Sequence, residues 1–405
     1  MAQAVCTRRA ALGALALAAP GRRAATAAQP TDAALAQSLQ KALDTYLATR
    51  AKPEHVTAAS LSVSLRGEKR NITVAAGTAQ YPPGTGAKVT PADLFEIGSI
   101  TKSFTSVAIL HLETAGALDI RNTLGKWLPQ YPAWKDVTIH RLLDMTSPIP
   151  GYDNQPSIAR IMGDDPNHTF TPQELVASVY PRDGKPKPVS GWTYSNTNYI
   201  LAQMIIENAG GKPYADVVRA LCDRVGLKNT YYEQNRYPAS ITRRMVSGYF
   251  FNHGSDDVLL APLLGHDVMN DSVSWMQAAG GVVSTMQDVS LWARSLYEGP
   301  LLADRQRHEL MTVVSDKTGQ PISGVSKENP AAFGLGVGAG FRPSLGSYWY
   351  YQGMTLGYRV LYGYFPANNG TVIVVGLNSQ PDDKQNQIGQ LLDQVYGILR
   401  KAVKI

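Results

Sequence analysis

Phe95-Glu96-Ile97-Gly98-Ser99-Ile100-Thr101-Lys102 runs without a break into an apolar helix carrying Phe104, Val107, Ala108, Leu110 and Leu112. The periodicity places Ser99 at the N-terminal end of that helix, where backbone N–H groups lack intrahelical partners and the dipole is positive. Such an end can stabilise a developing oxyanion and ease the loss of a proton from a nearby lysine. A spacing of three brings Lys102 over the face that carries Ser99, so a neutral amine there could accept the serine proton. Ser-x-x-Lys alone carries little weight, because Ser38-Leu39-Gln40-Lys41 repeats it inside another helical stretch. A plain helix-capping serine competes with a nucleophile at Ser99.

Upstream of the octapeptide, Asp32 to Arg50 has Leu35, Leu39, Leu43 and Leu47 at helical spacing. Val56 to Leu65 and Asn71 to Ala79 alternate as strands about an Arg66-Gly67-Glu68 turn. Downstream, as far as about Met269, helices such as Ile139 to Met145, Pro172 to Val179 and Asn198 to Asn208 alternate with Pro- and Gly-rich connections. Strand patterns return at Gly334 to Phe341, Ser347 to Met354, Tyr358 to Phe365 and Thr371 to Asn378, and a last helix runs from about Gln385 to Lys401. The two ends of the chain therefore predict one α/β unit and the middle an insertion.

Gly191-Trp192-Thr193-Tyr194-Ser195-Asn196 precedes a helix start at about Asn198. A tyrosine beside a lysine shares its proton more readily, because the ammonium favours the phenolate, and the Asn196 amide could orient lysine and substrate together. Tyr152-Asp153-Asn154 offers the same triplet without that context.

Taken in order, Ser99-Ile100-Thr101-Lys102, Tyr194-Ser195-Asn196 and a glycine-bearing strand near the C-terminus resemble the penicillin-recognising serine hydrolases. That group holds class C β-lactamases, D-alanyl-D-alanine carboxypeptidases, D-amino-acid peptidases and related esterases. Leu142-Leu143-Asp144-Met145-Thr146-Ser147 and Ala278-Ala279-Gly280-Gly281-Val282-Val283-Ser284-Thr285 are also similar to family segments, so the resemblance covers nearly all of the chain beyond its N-terminal segment. It implies a β-lactamase-like α/β fold, with an antiparallel sheet flanked by N- and C-terminal helices and an inserted, mostly helical domain. The expected division is residues 32–95 with 275–405 for the sheet domain and 96–274 for the insertion. Ser99, Lys102 and Tyr194 are the catalytic residues so implied, with no cofactor and no metal.

The family's last motif is Lys-Thr-Gly or His-x-Gly, and the matching stretch here is Tyr351-Gln352-Gly353-Met354-Thr355-Leu356-Gly357-Tyr358. The resemblance places the Met354 N–H opposite that of Ser99 as the second oxyanion donor, with Asn196, Tyr351, Gln352 and Gly353 contacting substrate. Gly353 would let a substrate backbone approach closely. Tyr351 replaces the cation that meets a substrate carboxylate in β-lactamases and cell-wall peptidases, a bond worth about 1.5 to 3 kcal/mol. Neutral esters, amides or peptides are therefore the expected substrates, with carboxylesterase or peptidase activity favoured. A β-lactamase or cell-wall D,D-carboxypeptidase is the alternative, and a weakly catalytic penicillin-binding or sensing module is the alternative of another class. Tyr351 could also simply pack with Tyr348, Trp349 and Tyr350.

Other classes find little support. The seven histidines show no metal spacing, and neither a Gly-x-Ser-x-Gly elbow nor a phosphate loop occurs in the 405 residues. Thr7-Arg8-Arg9, the apolar run Ala10 to Ala19 and Ala25-Thr26-Ala27 have the parts of a secretory, twin-arginine-type signal over residues 1–27. An exported, periplasmic or secreted enzyme without a stable membrane anchor is the expectation. Removing that segment with its four arginines lowers the formal charge from +6 to about +2 and leaves no basic stripe for nucleic acid. Cys222 would be the one cysteine left, and a buried packing role suits it.

Overall fold

The computed structural model describes residues 32–65, 71–185, 191–254 and 257–402. The signal over residues 1–27 and the Arg66-Gly67-Glu68 turn lie outside the described residues. Alternation of Leu61 and Val63 with Ser60 and Ser62 makes Ala58–Ser64 a strand that shows different residues to its two faces. It pairs antiparallel with Thr371–Leu377, Ala59 opposite Leu377 and Ser64 opposite Val372. These two strands lie inside a ten-stranded antiparallel sheet. Its spatial order is Thr85–Lys88, Ile72–Gln80, Ala58–Ser64, Thr371–Leu377, Arg359–Phe365, Gly346–Met354, Gly338–Arg342, Ala331–Phe333, Val313–Ser315 and Pro321–Ile322.

Helices cover both faces. Leu35, Leu39 and Leu43 of Asp32–Glu54 and Leu391, Leu392 and Val395 of Ile388–Ala402 pack on Leu61, Val63, Ile373 and Val375. Against the opposite face, Val289, Trp292 and Leu296 of Met286–Tyr297 meet Val360, Val372 and Val374. The architecture is the β-lactamase-like α/β fold expected. One strand expectation needs correction: Gly334 to Phe341 is not continuous, because the chain turns at residues 334–337 and leaves two strands, Ala331–Phe333 and Gly338–Arg342. Gly334 N bonding to Val337 O at 2.8 Å closes that turn.

A second sheet of three strands, Phe95–Glu96, Val282–Ser284 and Thr230–Tyr232, leads to the Ser99 segment. From it the chain passes through a 3-10 turn, Gly98–Ile100, into the helix Thr101–Thr114. Ser99 thus stands one step outside the α-helix. The helix is held by Phe104 stacked on Trp292 with ring centroids 3.7 Å apart, and by Trp292 Nε1 donating to Ser103 Oγ at 2.7 Å.

Behind the Gly346–Met354 strand lies a fully buried ion pair, Arg359 Nη1 to Glu54 Oε2 at 2.7 Å. Glu54 also accepts from Tyr46 Oη and Arg50 Nε, each at 2.8 Å, while Arg359 donates to Ser379 O at 2.7 Å and Asn386 Oδ1 at 2.8 Å. Two charges are affordable at such depth only because nearly every donor and acceptor is matched. Replacing Arg359 alone by Met should therefore destabilise the fold by about 3–5 kcal/mol, the usual cost of orphaning a buried charge. Replacing Arg359 and Glu54 together by Met should recover much of that loss in urea melts.

Candidate active site

Two donors converge on Ser99 Oγ: Lys102 Nζ at 2.9 Å and Tyr194 Oη at 2.7 Å. Lys102 has no solvent exposure, and its ammonium also donates to Ala279 O at 2.7 Å. It lies 4.9 Å from the ring centroid of Tyr194 and 5.5 Å from that of Tyr199. A buried cation needs such partners, since a carbonyl and two π faces replace part of its lost hydration.

Tyr194 is positioned by the segment expected around Met145. Thr193 N bonds to Met145 O at 3.0 Å and Ser195 N meets Met145 Sδ at 3.3 Å. Met145 itself sits at φ +64°, and Ser147 Oγ donates to Asn198 Oδ1 at 2.7 Å, fixing the start of Asn196–Gly210. Tyr194, two residues before that helix, therefore points its hydroxyl at Ser99. Asn196 opens the helix, half-buried, and its side chain bonds no described residue.

The Gly346–Met354 strand closes the other side. A β-carbon added at Gly353 would come within 1.8 Å of Ile97 O and 3.0 Å of Ser99 N; one at Gly98, whose φ is +50°, would come within 2.7 Å of Met354 N. Only glycine fits at either position. The amides of Ser99 and Met354 thus lie across one narrow gap.

Tyr351 does reach the site. Its hydroxyl is 3.5 Å from that of Tyr194 and its ring packs edge-on to Phe333, with centroids 5.7 Å apart. Burial, reinforced by the neighbouring tyrosines, pushes its phenol well above the usual range and keeps it neutral. Tyr348 and Trp349 instead pack against Phe365 and Tyr297. Tyr351 lines a cleft of about 440 Å³ together with Trp192, Tyr194, Phe333, Tyr350, Gln352 and Met354, and Asp383 and Asn386 stand at its edge.

The two decoys separate cleanly. Ser38 donates to Ala34 O at 3.0 Å within its own helix, and Tyr152 is buried with its hydroxyl on Trp275 O. Cys222 is buried and its thiol is pushed up to about 12 by that burial. Three contributors escaped the sequence reading: the carbonyl of Ala279, the ring of Tyr199 and the carboxyl of Glu96. Backbone carbonyls leave no sequence signature, although Ala278 to Gly281 had stood out as a segment. Among the described residues no cluster of ligands could hold a metal, and no helix is long and apolar enough to cross a membrane.

Comparison with known proteins follows the geometry. A family model described as Beta-lactamase matches residues 40–396. Penicillin-binding protein 4* of Bacillus subtilis (strain 168) is 27% identical over 233 residues, covering 56% of this chain and 50% of that protein. The putative penicillin-binding protein PbpX of the same organism is 26% identical over 317 residues, 77% of this chain and 68% of that one. The match to the first thus spans half of that relative's length. Among solved structures, a D-stereospecific amidohydrolase from Streptomyces sp. has a TM-score of 0.69 at 25% identity, covering 88% of this chain and 97% of its own. The D-amino acid amidase from Ochrobactrum anthropi SV3, complexed with L-phenylalanine amide, has a TM-score of 0.74 at 25% identity, covering 91% and 99%.

Glu96, three residues before Ser99, is 4% exposed and hydrogen-bonded to Thr355, the residue after Met354. Burial raises its carboxyl from the ordinary 4.5 to about 7, and Asp271 and Asp267 add to the rise. Below pH 4.5 both folded and unfolded chains hold this proton; between 4.5 and 7 only the folded chain does. Stability should therefore fall as pH rises through that window, by on the order of 3 kcal/mol for this group alone, and then level off. Glu96→Gln should melt higher than the parent at pH 8, with the gap closing towards pH 4.5, as followed by thermal melts across the range.

Proposed function

The chain belongs to the Beta-lactamase family and is a serine hydrolase of that fold, and from this premise we propose an exported enzyme that acts through an acyl-enzyme on neutral esters or amides. The observation that carries the reading is the convergence of Lys102 Nζ and Tyr194 Oη on Ser99 Oγ. An ammonium and a phenol cannot accept a further proton, so in the reactive state the pair is one proton short, as a neutral amine or a phenolate, and that group takes the serine hydrogen. Ser99 Oγ then attacks the carbonyl carbon, and the amides of Ser99 and Met354 receive the oxyanion. The proton held by the Lys102–Tyr194 pair passes to the departing alcohol or amine, leaving Ser99 esterified. Water delivered beside Tyr194 gives its proton to the same pair and attacks the ester carbon; the bond to Ser99 Oγ breaks, the pair returns the proton to that oxygen, and the acid is released. No external oxidant, metal or cofactor enters the sequence.

Substrate choice rests on Tyr351. A neutral phenol stands where a cation would meet a carboxylate, and the cleft walls are aromatic. Small apolar amides or esters suit that lining better than β-lactams or cell-wall peptides ending in a carboxylate. The amidase likeness supports the amide reading, while the penicillin-binding relatives favour a D,D-peptidase or penicillin-binding module as the second. Asn196 and Gln352 complete the substrate contacts. Export rests on residues 1–27 and their paired arginines.

An active-serine fluorophosphonate should label the parent protein and leave Ser99→Ala unlabelled; labelling that survives the substitution would remove Ser99 from the mechanism. Parent enzyme should hydrolyse p-nitrophenyl acyl esters at least about tenfold faster than nitrocefin. Tyr351→Lys should shift kcat/KM towards carboxylate-bearing substrates by about tenfold, in line with one charge-assisted bond. An unchanged ratio would mean that Tyr351 only packs.

A further inference from the structure

The charges around the cleft are unevenly committed. Lys102 lies beneath the reacting serine, its ammonium spent on Ser99 Oγ and Ala279 O. Arg359 is fully buried on Glu54, Ser379 and Asn386. Neither cation faces the cleft, and the lining contains neither Lys nor Arg. Asp383 is its one acidic residue. Among the described residues this carboxylate accepts one side-chain hydrogen bond, from Asn252 Nδ2 at a long 3.4 Å, and it is exposed to water. Most of its lone pairs are open.

The rest of the wall adds to this polarity. Trp192, Phe333, Tyr350 and Tyr351 present ring faces and edges, and faces attract cations. Asn386, at the same edge, is oriented by Arg359, which binds its Oδ1 and leaves Nδ2 towards Met354 Sδ at 3.8 Å. Thioether sulfur is a weak acceptor, so that amide N–H₂ is available to a substrate carbonyl. Asp383 does not touch Ser99; it meets the cleft beyond Met354 and Asn386.

We propose that Asp383 is a specificity-determining residue: it selects acyl substrates that carry a cationic nitrogen several atoms away from the scissile carbonyl, and it disfavours anionic ones. This rests on the acyl-enzyme reading of the site and adds a charge preference to it. The substrate class is an apolar ester or amide that carries a primary ammonium several atoms from its scissile carbonyl, such as an ω-amino acyl ester or a short peptidyl amide with a free N-terminus. No bond is made or broken by Asp383; it acts through Coulomb attraction and a hydrogen bond to the ammonium. The effect of an exposed carboxylate is modest and is screened by salt.

Three p-nitrophenyl esters of matched length provide the test: 6-aminohexanoate, hexanoate and the adipate half-ester. The parent should rank them ammonium, neutral, carboxylate by kcat/KM. In Asp383→Asn the ratio of ammonium to neutral ester should fall about two- to fivefold, chiefly through KM, and 0.5 M NaCl should compress the parent's ratio towards that of the variant. Asp383→Lys should reverse the order of the charged pair. Ratios that stay the same in both variants, or a salt-insensitive ratio, would overturn the inference. Binding of hexylamine against hexanoate to Ser99→Ala, followed by tryptophan fluorescence, reads the same preference without turnover. If none of the esters is hydrolysed, the acyl-enzyme reading fails, while a hexylamine preference lost in Ser99→Ala/Asp383→Asn would still uphold the charge selection; equal binding of the two would overturn it.

Discussion

Everything at the site depends on how closely two stretches of backbone approach. The turn before the helix Thr101–Thr114 and the end of the Gly346–Met354 strand meet with no side chain between them, because Gly98 and Gly353 face one another's backbones. That contact brings two amides to one gap and sets Ser99 Oγ under Tyr194. It also explains the fold around it: a flat face of sheet is needed on one side and a buried helix end on the other. The helix end is fixed by the Phe104–Trp292 stack, and the strand by its neighbours in the sheet.

Behind this contact the molecule holds two buried cations in different ways. Arg359 is met by a carboxylate and by hydrogen bonds from several elements, which joins the helix Asp32–Glu54 to the region beside Met354. Lys102 has no carboxylate beside it in its hydrogen bonds; it is held by a carbonyl, a hydroxyl and aromatic faces. The guanidinium is thus tied to a fixed opposite charge, whereas the Lys102 side chain is held by neutral groups alone. The first arrangement links separate elements of the fold, and the second holds Lys102 beside Ser99.

Much of this was legible before any coordinates. Leucines at helical spacing in Asp32–Glu54 and alternation along Ala58–Ser64 carry a long-range pattern, and these elements formed where expected. Ser99, Lys102 and Tyr194 were legible as an ordered set, although each motif alone had a decoy, and the geometry that separates them is tertiary: Ser38 is enclosed in a helix and Tyr152 in the core. The broken strand at residues 334–337 was not legible, because Gly-rich alternation fits a strand and a turn alike. Ala279 meets Lys102 through its carbonyl, which its side chain does not encode, and Asp383 comes to the cleft only through the fold.

The pairing of Ala58–Ser64 with Thr371–Leu377 also sets an order in time. A strand made early in synthesis has as its partner one of the last to be made, so the middle of the sheet must wait for nearly the whole chain, and non-local closure of this kind is slow. Gly353 and Met354 belong to the same late group, whereas Ser99 and Lys102 are made early. A nascent chain therefore carries Ser99 and Lys102 long before it has the strand that packs on Gly98 or the wall of the cleft. The enclosure of Ser99 by Gly353 and the cleft wall is among the last features of the fold that the growing polypeptide can assemble.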